Sequence, residues 1–271
     1  MQQVSITAIR RAPRFSPNSV EKDAAILEAV CRHLKMNGCI IHEYEEDEIN
    51  SLGTSQFFLT MGRSTRLLDM LSVPERDGAI VVNSTASIRL CCYRAKLEVK
   101  LREAGITLPE DNQDNGAYWL KRGDAPAQTA EDVIFVTNTD ELDRKIQLFL
   151  QRGISDIIVS PHVEGDLIKF YGVVGTSFFR VFYPGDDKYS KFGDELHNGR
   201  PQHYRYSLDK LHAMAELAAQ TVGVIIYGGD AVVRRDGSFC MIDFNDWPSF
   251  SRCREEAALA IARRIKELIG K

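Results

Sequence analysis

The sequence has no long hydrophobic run, and this absence removes several classes of protein from consideration. No apolar segment approaches the ~18 residues that a membrane-spanning helix requires. The N-terminus also lacks the apolar stretch that forms the centre of a secretory signal peptide. We therefore expect no membrane partner and a cytoplasmic location.

Metal-binding cysteine pairs and a strong charge of one sign are also missing. The six cysteines form no C-x-x-C motif, and Cys91 and Cys92 are adjacent, which suits neither a zinc site nor a disulfide framework. A formal net charge of −4 provides no basic surface for nucleic acid. We therefore expect reduced thiols, no nucleic-acid partner and an ordinary globular protein.

Segments typical of strands and helices alternate in the first third of the chain. Apolar segments at Val4–Ile9, Phe57–Thr60 and Ala79–Val82 predict buried strands, and helical spacing of apolar residues follows the first. This alternation is typical of a mostly parallel sheet, so we predict an α/β fold. The sequence further predicts helices over residues 86–103 and 139–151, and strands over 118–121, 133–136 and 156–160.

The segment from Gly228 to Asn245 is the most informative part of the chain. Asp236-Gly237 is a preferred sequence for a two-residue type I′ turn between antiparallel strands. Counting outward from this turn places Asp230 opposite Asp243, with Asn245 on the same face. Because opposed like charges destabilise a sheet, these oxygen ligands predict a site for a hard cation, Mg²⁺ or Mn²⁺. The alternative is a hairpin of different register with solvated acids.

This segment resembles the magnesium-binding end of the ATP-grasp superfamily. The resemblance rests on Asp230 and on the sequence Ile242–Pro248, in which an Asp is followed two residues later by an Asn and then by a Pro. The Asp-x-Asn form is most similar to the inositol-trisphosphate kinases, whereas Glu-x-Asn is commoner in ligases such as glutathione synthetase. Ser249 stands where Gly often follows the Pro, which affects the turn more than the metal ligands.

The resemblance implies an ATP-grasp fold with an N-terminal Rossmann-like domain, over essentially the whole chain. The implied units are a pre-ATP-grasp α/β domain (residues 1–88), a small lid subdomain (89–163) and a C-terminal metal-binding subdomain (164–271). ATP is expected between the last two units, with Mg²⁺ on Asp230, Asp243 and Asn245.

Arg94 interrupts an apolar stripe on its predicted helix and therefore needs an anionic partner. It resembles the first phosphate-binding cation of the family, although its stem could also pack while its charged head reaches water. Lys121 resembles the lid lysine that contacts ATP phosphates. Only Gly123 follows it where many ligases have a glycine-rich loop, so more phosphate binding is left to side chains.

The segment after strand 156–160 resembles the hinge that receives adenine. In the family, backbone groups of the hinge contact the base and an acidic residue holds the ribose. The residues that this resemblance assigns to ATP are Pro161, His162, Val163, Glu164 and Asp166.

A predicted hairpin after the hinge turns at Gly175-Thr176. This turn places Tyr171 opposite Arg180, with Lys169 diagonal to Arg180 on the same face. Two converging cations near a metal site suit a polyanionic ligand. Lys169 resembles a lysine of the inositol-phosphate kinases, and Arg180 resembles the ligase arginine that steadies the reacting phosphoryl group. We predict both as catalytic residues and Lys169 also as an ATP ligand.

Four arginines of the first domain are candidate substrate ligands. Arg10, Arg11 and Arg14 follow the first predicted strand, and Arg63 follows a later one. Ligands of open α/β sheets gather at the carboxyl ends of strands, and helix N-termini bind anions. The alternative is that these arginines are solvated loop residues. The expected substrate is an anionic small molecule or peptide.

Together these features predict a Mg-ATP-dependent ligase. It would activate a carboxylate as an acyl phosphate for attack by an amine or a similar nucleophile. Two alternatives stay open: an ATP-dependent small-molecule kinase of inositol-phosphate type, favoured by the Asp-x-Asn form, and a nucleotide-binding protein without turnover.

Overall fold

Three sheets organise the fold, which we describe from a computed structural model. The structure describes residues 4–53, 55–110, 116–125, 127, 129–186 and 197–270. None of the helices in these ranges combines the length and hydrophobicity needed to cross a bilayer.

The first sheet is parallel, with strand order β2-β1-β3-β4. Its elements are β1 (Ser5–Arg10), α1 (Val20–Met36), β2 (Ile40–Glu45), β3 (Phe57–Thr60), α2 (Thr65–Arg76) and β4 (Ile80–Val82). Four consecutive residues of β1 are buried, as expected for a central parallel strand covered on both faces. The predicted α/β fold is therefore confirmed.

The second sheet has three antiparallel strands in the order β6-β5-β7. Its elements are β5 (Tyr118–Arg122), β6 (Val133–Val136), α5 (Thr139–Gln151) and β7 (Ile157–Pro161). The structure gives β6 and α5 the bounds predicted from sequence. Asn138 explains the start of α5, because its side chain accepts the Glu141 N–H at 2.8 Å as an N-cap.

The third sheet is antiparallel, with order β11-β10-β8-β9. Its elements are β8 (Asp166–Val173), β9 (Phe179–Phe182), α6 (Leu208–Val222), β10 (Ile226–Val233), β11 (Phe239–Asp246) and the C-terminal helix α7 (Arg254–Ile269). Tyr171 pairs with Arg180, as the predicted hairpin register requires. One face of the sheet packs on α6, and α7 packs in a core shared with α1 and the first sheet.

Two helices occupy the segment predicted as one helix over residues 86–103. They are α3 (Thr85–Cys92) and α4 (Arg94–Glu103), which meet at Tyr93, whose φ of −101° and ψ of 83° interrupt the helix. The break follows from tertiary packing, because α3 contacts α2 through Ile88 and Cys92, whereas Leu97 and Leu101 of α4 join the core around α6. The prediction of a single helix was wrong.

The turn between β10 and β11 has three residues rather than the predicted two. The Arg234 N–H donates to Ser238 O at 2.8 Å, and the Gly237 N–H donates to Arg234 O at 3.0 Å. Gly237 has φ +83°, a left-handed conformation that glycine adopts without a Cβ penalty. This longer turn displaces the strand register by one residue relative to the prediction.

A β-bulge restores the register at the functional end of the same hairpin. Ala231 pairs with Met241, but the preceding residue Asp230 pairs with Asp243, so Ile242 is the extra residue of β11. The predicted pairing of Asp230 with Asp243 is therefore confirmed, although two features that the sequence did not indicate produce it.

Asn83 joins the first sheet to the third. It is fully buried just after β4, and its Oδ1 accepts the N–H groups of Ile225 and Ile226 at 2.7 and 2.9 Å. Its Nδ2 donates to Ile226 O at 2.8 Å. Side-chain bonds thus fix the first sheet against the start of β10, the strand that carries Asp230.

Candidate active site

A cavity of about 320 Å³ is lined by strand residues of the second and third sheets and, from the first sheet's region, by α1 and by loops that follow its strands. Asp230, Asp243 and Asn245, which we call the metal site, line it together with the cations Arg94, Lys121 and Lys169. The structure therefore brings together six residues that the sequence singled out in four separate segments.

The two carboxylates of the metal site face each other across neighbouring strands. Asp230 on β10 pairs with Asp243 on β11, and Asn245 donates from Nδ2 to Asp243 Oδ2 at 3.4 Å. Lys169 on β8 places Nζ 3.1 and 3.2 Å from the two carboxylate oxygens of Asp230. Two carboxylates and an amide oxygen are a donor set of the kind that Mg²⁺ accepts.

The glycine before Asp230 allows this close arrangement. A Cβ added to Gly229 would lie 2.5 Å from Asp243 O and 2.4 Å from the Phe170 ring. Larger residues therefore do not fit where β10 lies against the bulged part of β11.

Cations around Asp243 compensate for its burial. Burial raises the pKa of Asp243, but the charges of Arg94, Lys121 and Lys169 lower it, and the net result is a pKa below the ordinary value. Lys121 Nζ donates to Ile242 O at 2.9 Å. Burial lowers the pKa of Lys121 more than the attraction of Asp243 raises it. The site thus holds an ionised carboxylate among desolvated cations.

Arg94 is the first residue of α4 and lines the cavity. Its Nε lies 3.8 Å from Asp243 Oδ1, and its buried Nη1 has no hydrogen-bond partner among the described residues. The anionic partner that the sequence required is therefore Asp243. A guanidinium with an unused donor still has the capacity to bind a further anion.

Three of the five predicted hinge residues, Pro161, His162 and Val163, line the cavity. Trp119 donates from Nε1 to His162 Nδ1 at 3.1 Å, a bond that requires the imidazole to be unprotonated at that nitrogen. Burial lowers the pKa of His162 and so favours this neutral form. Asn198 donates from Nδ2 to Val163 O at 2.9 Å.

The two predicted acidic hinge residues lie elsewhere. Glu164 is exposed and is absent from the described cavity lining. Asp166 is buried, and its two carboxylate oxygens accept the backbone N–H groups of Gln202 and Tyr204 at 2.6 and 2.7 Å. The structure therefore gives Asp166 a loop-anchoring position, in place of the predicted position against a ribose.

Arg180 was predicted beside Lys169, but its side chain lies outside the described cavity lining. Its guanidinium pairs with Glu256 of α7, with Nη2 2.6 Å and Nε 2.8 Å from Glu256 Oε2. The predicted strand register is confirmed, but the guanidinium forms an ion pair with the carboxylate of Glu256, a residue far along the sequence. A catalytic role for Arg180 stays a prediction.

The four predicted substrate arginines divide into two pairs. Arg11 and Arg63 line the cavity, whereas Arg10 and Arg14 are outside its described lining. Arg14 Nη1 is 2.5 Å from Asp47 Oδ1 in an exposed ion pair. The partners of Arg10 are Glu28, Glu43 and Glu45.

Several cavity residues were not predicted from sequence. Trp119 lies two positions before Lys121 on β5, so strand alternation places both on one face and could have identified it. Tyr171 lies two positions after Lys169 on β8 and has the same signal, whereas Asn198 has none. Buried Glu46 was also missed, although it accepts the N–H groups of Ala12, Arg63 and Ser64 at 2.5–2.8 Å and so joins the two arginine-bearing loops.

Solved structures with the same architecture are ATP-grasp enzymes. D-alanyl-alanine synthetase A from Vibrio cholerae has a TM-score of 0.70 at 11% identity, covering 98% of this chain and 97% of that one. VanG D-Ala:D-Ser ligase from Enterococcus faecalis has a TM-score of 0.68 at 14% identity, covering 99% of each chain. A RimK-domain ATP-grasp protein from Sphaerobacter thermophilus has a TM-score of 0.65 at 17% identity, covering 95% of this chain and 98% of that one.

No protein-family model matches the sequence, and no curated protein matches it. The structural likeness at these identities establishes the fold alone. The chain has the ATP-grasp fold that the hairpin sequence predicted.

Proposed function

We propose that this protein is a Mg-ATP-dependent ligase that activates a carboxylate as an acyl phosphate. The observation that carries the proposal is the opposed Asp230–Asp243 pair, with Asn245 beside it, in a cavity that also holds three cations. The ATP-grasp fold and the ligases among the similar structures support it.

The metal site fits the proposed cation, because its donors are carboxylate and amide oxygens and its two carboxylates are opposed across paired strands. Asp230, Asp243 and Asn245 would hold Mg²⁺. When bound, Mg²⁺ would neutralise phosphate charge and orient the phosphates for in-line transfer.

Cationic side chains of the protein would stabilise the negative charge that the metal ion does not neutralise. Arg94, Lys121 and Lys169 would meet the charge that develops on the transferring phosphoryl group, in a site where burial strengthens each interaction. Trp119, His162 and Val163 would hold the adenine at the end of the cavity formed by the second sheet.

In the proposed reaction the γ-phosphoryl group passes from ATP to a carboxylate oxygen, which releases ADP and forms an acyl phosphate. A nucleophile then attacks the carbonyl carbon and expels inorganic phosphate. The organic product therefore gains no phosphorus.

The fate of the phosphate tests this proposal. Incubation with γ-³²P ATP, Mg²⁺, pools of carboxylic acids and hydroxylamine should release labelled inorganic phosphate and form hydroxamates, which are detected by mass spectrometry. Label retained on a stable phosphomonoester would instead identify a kinase. No turnover with any pool, together with nucleotide binding, would identify a binding protein.

A further inference from the structure

The end of the cavity formed by the first sheet is rich in charge yet locally neutral. We call it the substrate-side pocket. Its described lining comprises Arg11, Phe15, Ser19, Asp23, Arg63, Trp247, Pro248, Ser249 and Ser251. Both cations of this pocket have a protein carboxylate as partner.

Arg11 has all three of its donor nitrogens engaged by the protein. Nη1 donates to Asp23 Oδ2, Nη2 to Trp247 O and Nε to Met61 O, each at 3.0 Å. The side chains of Arg11 and Asp23 are each only 7% exposed. Ser16 Oγ donates to the same Asp23 oxygen at 2.7 Å. This pair is therefore closed within the protein and is not poised to bind a further ion.

Arg63 is also paired with a carboxylate, although its buried Nε has no hydrogen-bond partner among the described residues. Its Nη2 lies 2.6 Å from Asp246 Oδ1 and donates to Asp246 O at 3.1 Å. Asp246 is fully buried, so no ligand ammonium can reach its carboxylate without displacing protein. The buried carboxylate of Glu46 holds the loop of Arg63 by accepting its backbone N–H at 2.8 Å.

The pocket surface left for a ligand is apolar and hydroxylated. Phe15 and Pro248 contribute apolar side chains, whereas Ser19, Ser249 and Ser251 carry hydroxyl groups. Such a lining recognises an uncharged body through contact area and a few hydrogen bonds.

We infer that the acid activated by this enzyme carries no charge beyond its reacting carboxylate and has an uncharged body that lies in the substrate-side pocket. The inference rests on the proposed function, because the reacting carboxylate must lie at the metal site. A second carboxylate, or an ammonium, would enter a buried region whose ions are already paired, and an unpaired buried charge is strongly unfavourable.

Sets of three matched acids test the inference. One such set is 4-carbamoylbutanoate, glutarate and 5-aminopentanoate, which share a chain and differ in the group at the far end. With Mg-ATP and hydroxylamine, the uncharged member should exceed both charged members in kcat/KM by at least about tenfold. Thermal shifts of the protein with each acid and Mg-ADP should follow the same order and do not depend on turnover.

A gain of specificity provides the second arm. Asp23→Asn leaves Arg11 without its charged partner, so this variant should improve glutarate relative to 4-carbamoylbutanoate by about tenfold. The control is Glu28→Gln, which removes a carboxylate of the same helix whose partner, Arg10, is outside the described cavity lining. The control should leave the ratio of the two acids unchanged.

The outcomes separate the inference from the proposed function. Preference for the dicarboxylic or amino acid members, by rate or by thermal shift, would overturn the inference and leave the ligase assignment intact. Absence of hydroxamate from every set would overturn the ligase assignment. The order of the thermal shifts would then test whether the substrate-side pocket prefers the uncharged acid. If Asp23→Asn does not fold, the wild-type comparison decides alone.

Discussion

The metal site and the substrate-side pocket lie in one cavity and use the same residue types in opposite ways. In the metal site, two carboxylates face each other across two strands, and the Nε of Arg94 is 3.8 Å from Asp243 Oδ1. In the substrate-side pocket, each arginine is paired with one aspartate. The difference shows that the number of charged residues in a cavity does not measure its capacity to bind ions.

The physical reason is the arrangement of the charges. Opposed carboxylates repel each other, so the metal site reaches its lowest free energy with a cation bound between them. Opposite charges in contact satisfy each other at burial, so the substrate-side pocket contributes to the fold without a ligand. Substitutions in the metal site should therefore reduce turnover most, whereas substitutions in the ion pairs of the substrate-side pocket should reduce the stability of the fold most.

The largest expected effect is that of Asp243→Asn on turnover. The substitution removes the charge of one metal ligand with little change of volume, and turnover should fall by at least about 10²–10³-fold. It also removes the attraction between Asp243 and its three cations, so the free energy of unfolding without Mg²⁺ should fall. Circular dichroism checks the fold, and a coupled ADP assay measures turnover. Unchanged turnover in a folded variant would refute the metal assignment.

Asp246→Asn should instead damage the fold. Breaking a buried ion pair by removing one partner costs about 3–5 kcal/mol, because it leaves the other charge uncompensated. Both members of the Arg63–Asp246 pair are buried, so urea unfolding should show a loss in this range. The control is Asp47→Asn in the exposed pair with Arg14, where a loss of about 0–1 kcal/mol is expected. Equal losses of unfolding free energy in the two variants would show that the buried pair contributes no more to stability than the exposed pair.

Arg94→Met should weaken nucleotide binding while leaving ligand-free stability equal or higher. The guanidinium has a buried donor without a described partner, and replacement of a poorly paired buried charge by an apolar side chain is often neutral or stabilising. Isothermal titration with Mg-ADP and urea unfolding measure the two quantities. A large loss of ligand-free stability would show that Arg94 belongs with the closed ion pairs.

The smallest effect is expected for Arg180→Ala. Arg180 pairs with Glu256 on the surface and does not line the described cavity, so kcat should change by less than about threefold. The matched control Glu256→Gln should behave similarly. A fall of about 10²–10³-fold in kcat would support the predicted catalytic role of Arg180, since that is the usual cost of losing one preorganised electrostatic group.

Much of the fold could be predicted because it follows from local patterns. Strand β6 and helix α5 were predicted to the residue, and Asn138 marks the helix start with a capping side chain. The break at Tyr93 could not be predicted, because α3 and α4 separate only when they pack on different cores. The bulge at Ile242 was also missed, since it depends on pairing across the hairpin.

Prediction of the site was uneven for a related reason. The metal ligands lie on two strands joined by a short turn, so the sequence placed them near each other, and the bulge at Ile242 offset the error in the predicted turn length. The partners of the arginines could not be predicted, because Arg63 meets Asp246 across 183 residues and Arg180 meets Glu256 across 76. Similarly, Asp166 follows the hinge sequence as expected, but the loop at Gln202 captures its carboxylate.

The sequence by itself determined the alternation of strands and helices, because it depends on spacing within short segments, and the resemblance of Ile242–Pro248 implied the ATP-grasp fold. The Asp230–Asp243 pairing was predicted, but a longer turn and a bulge at Ile242 produce it. Only the tertiary structure decided which cations are available to a ligand. The sequence around a loop arginine does not indicate whether a carboxylate pairs with it. The packing of helices and sheets determines which carboxylate lies beside it. That packing pairs Arg11 with Asp23 at 3.0 Å and Arg63 with Asp246 at 2.6 Å, and leaves Arg94 Nε 3.8 Å from Asp243.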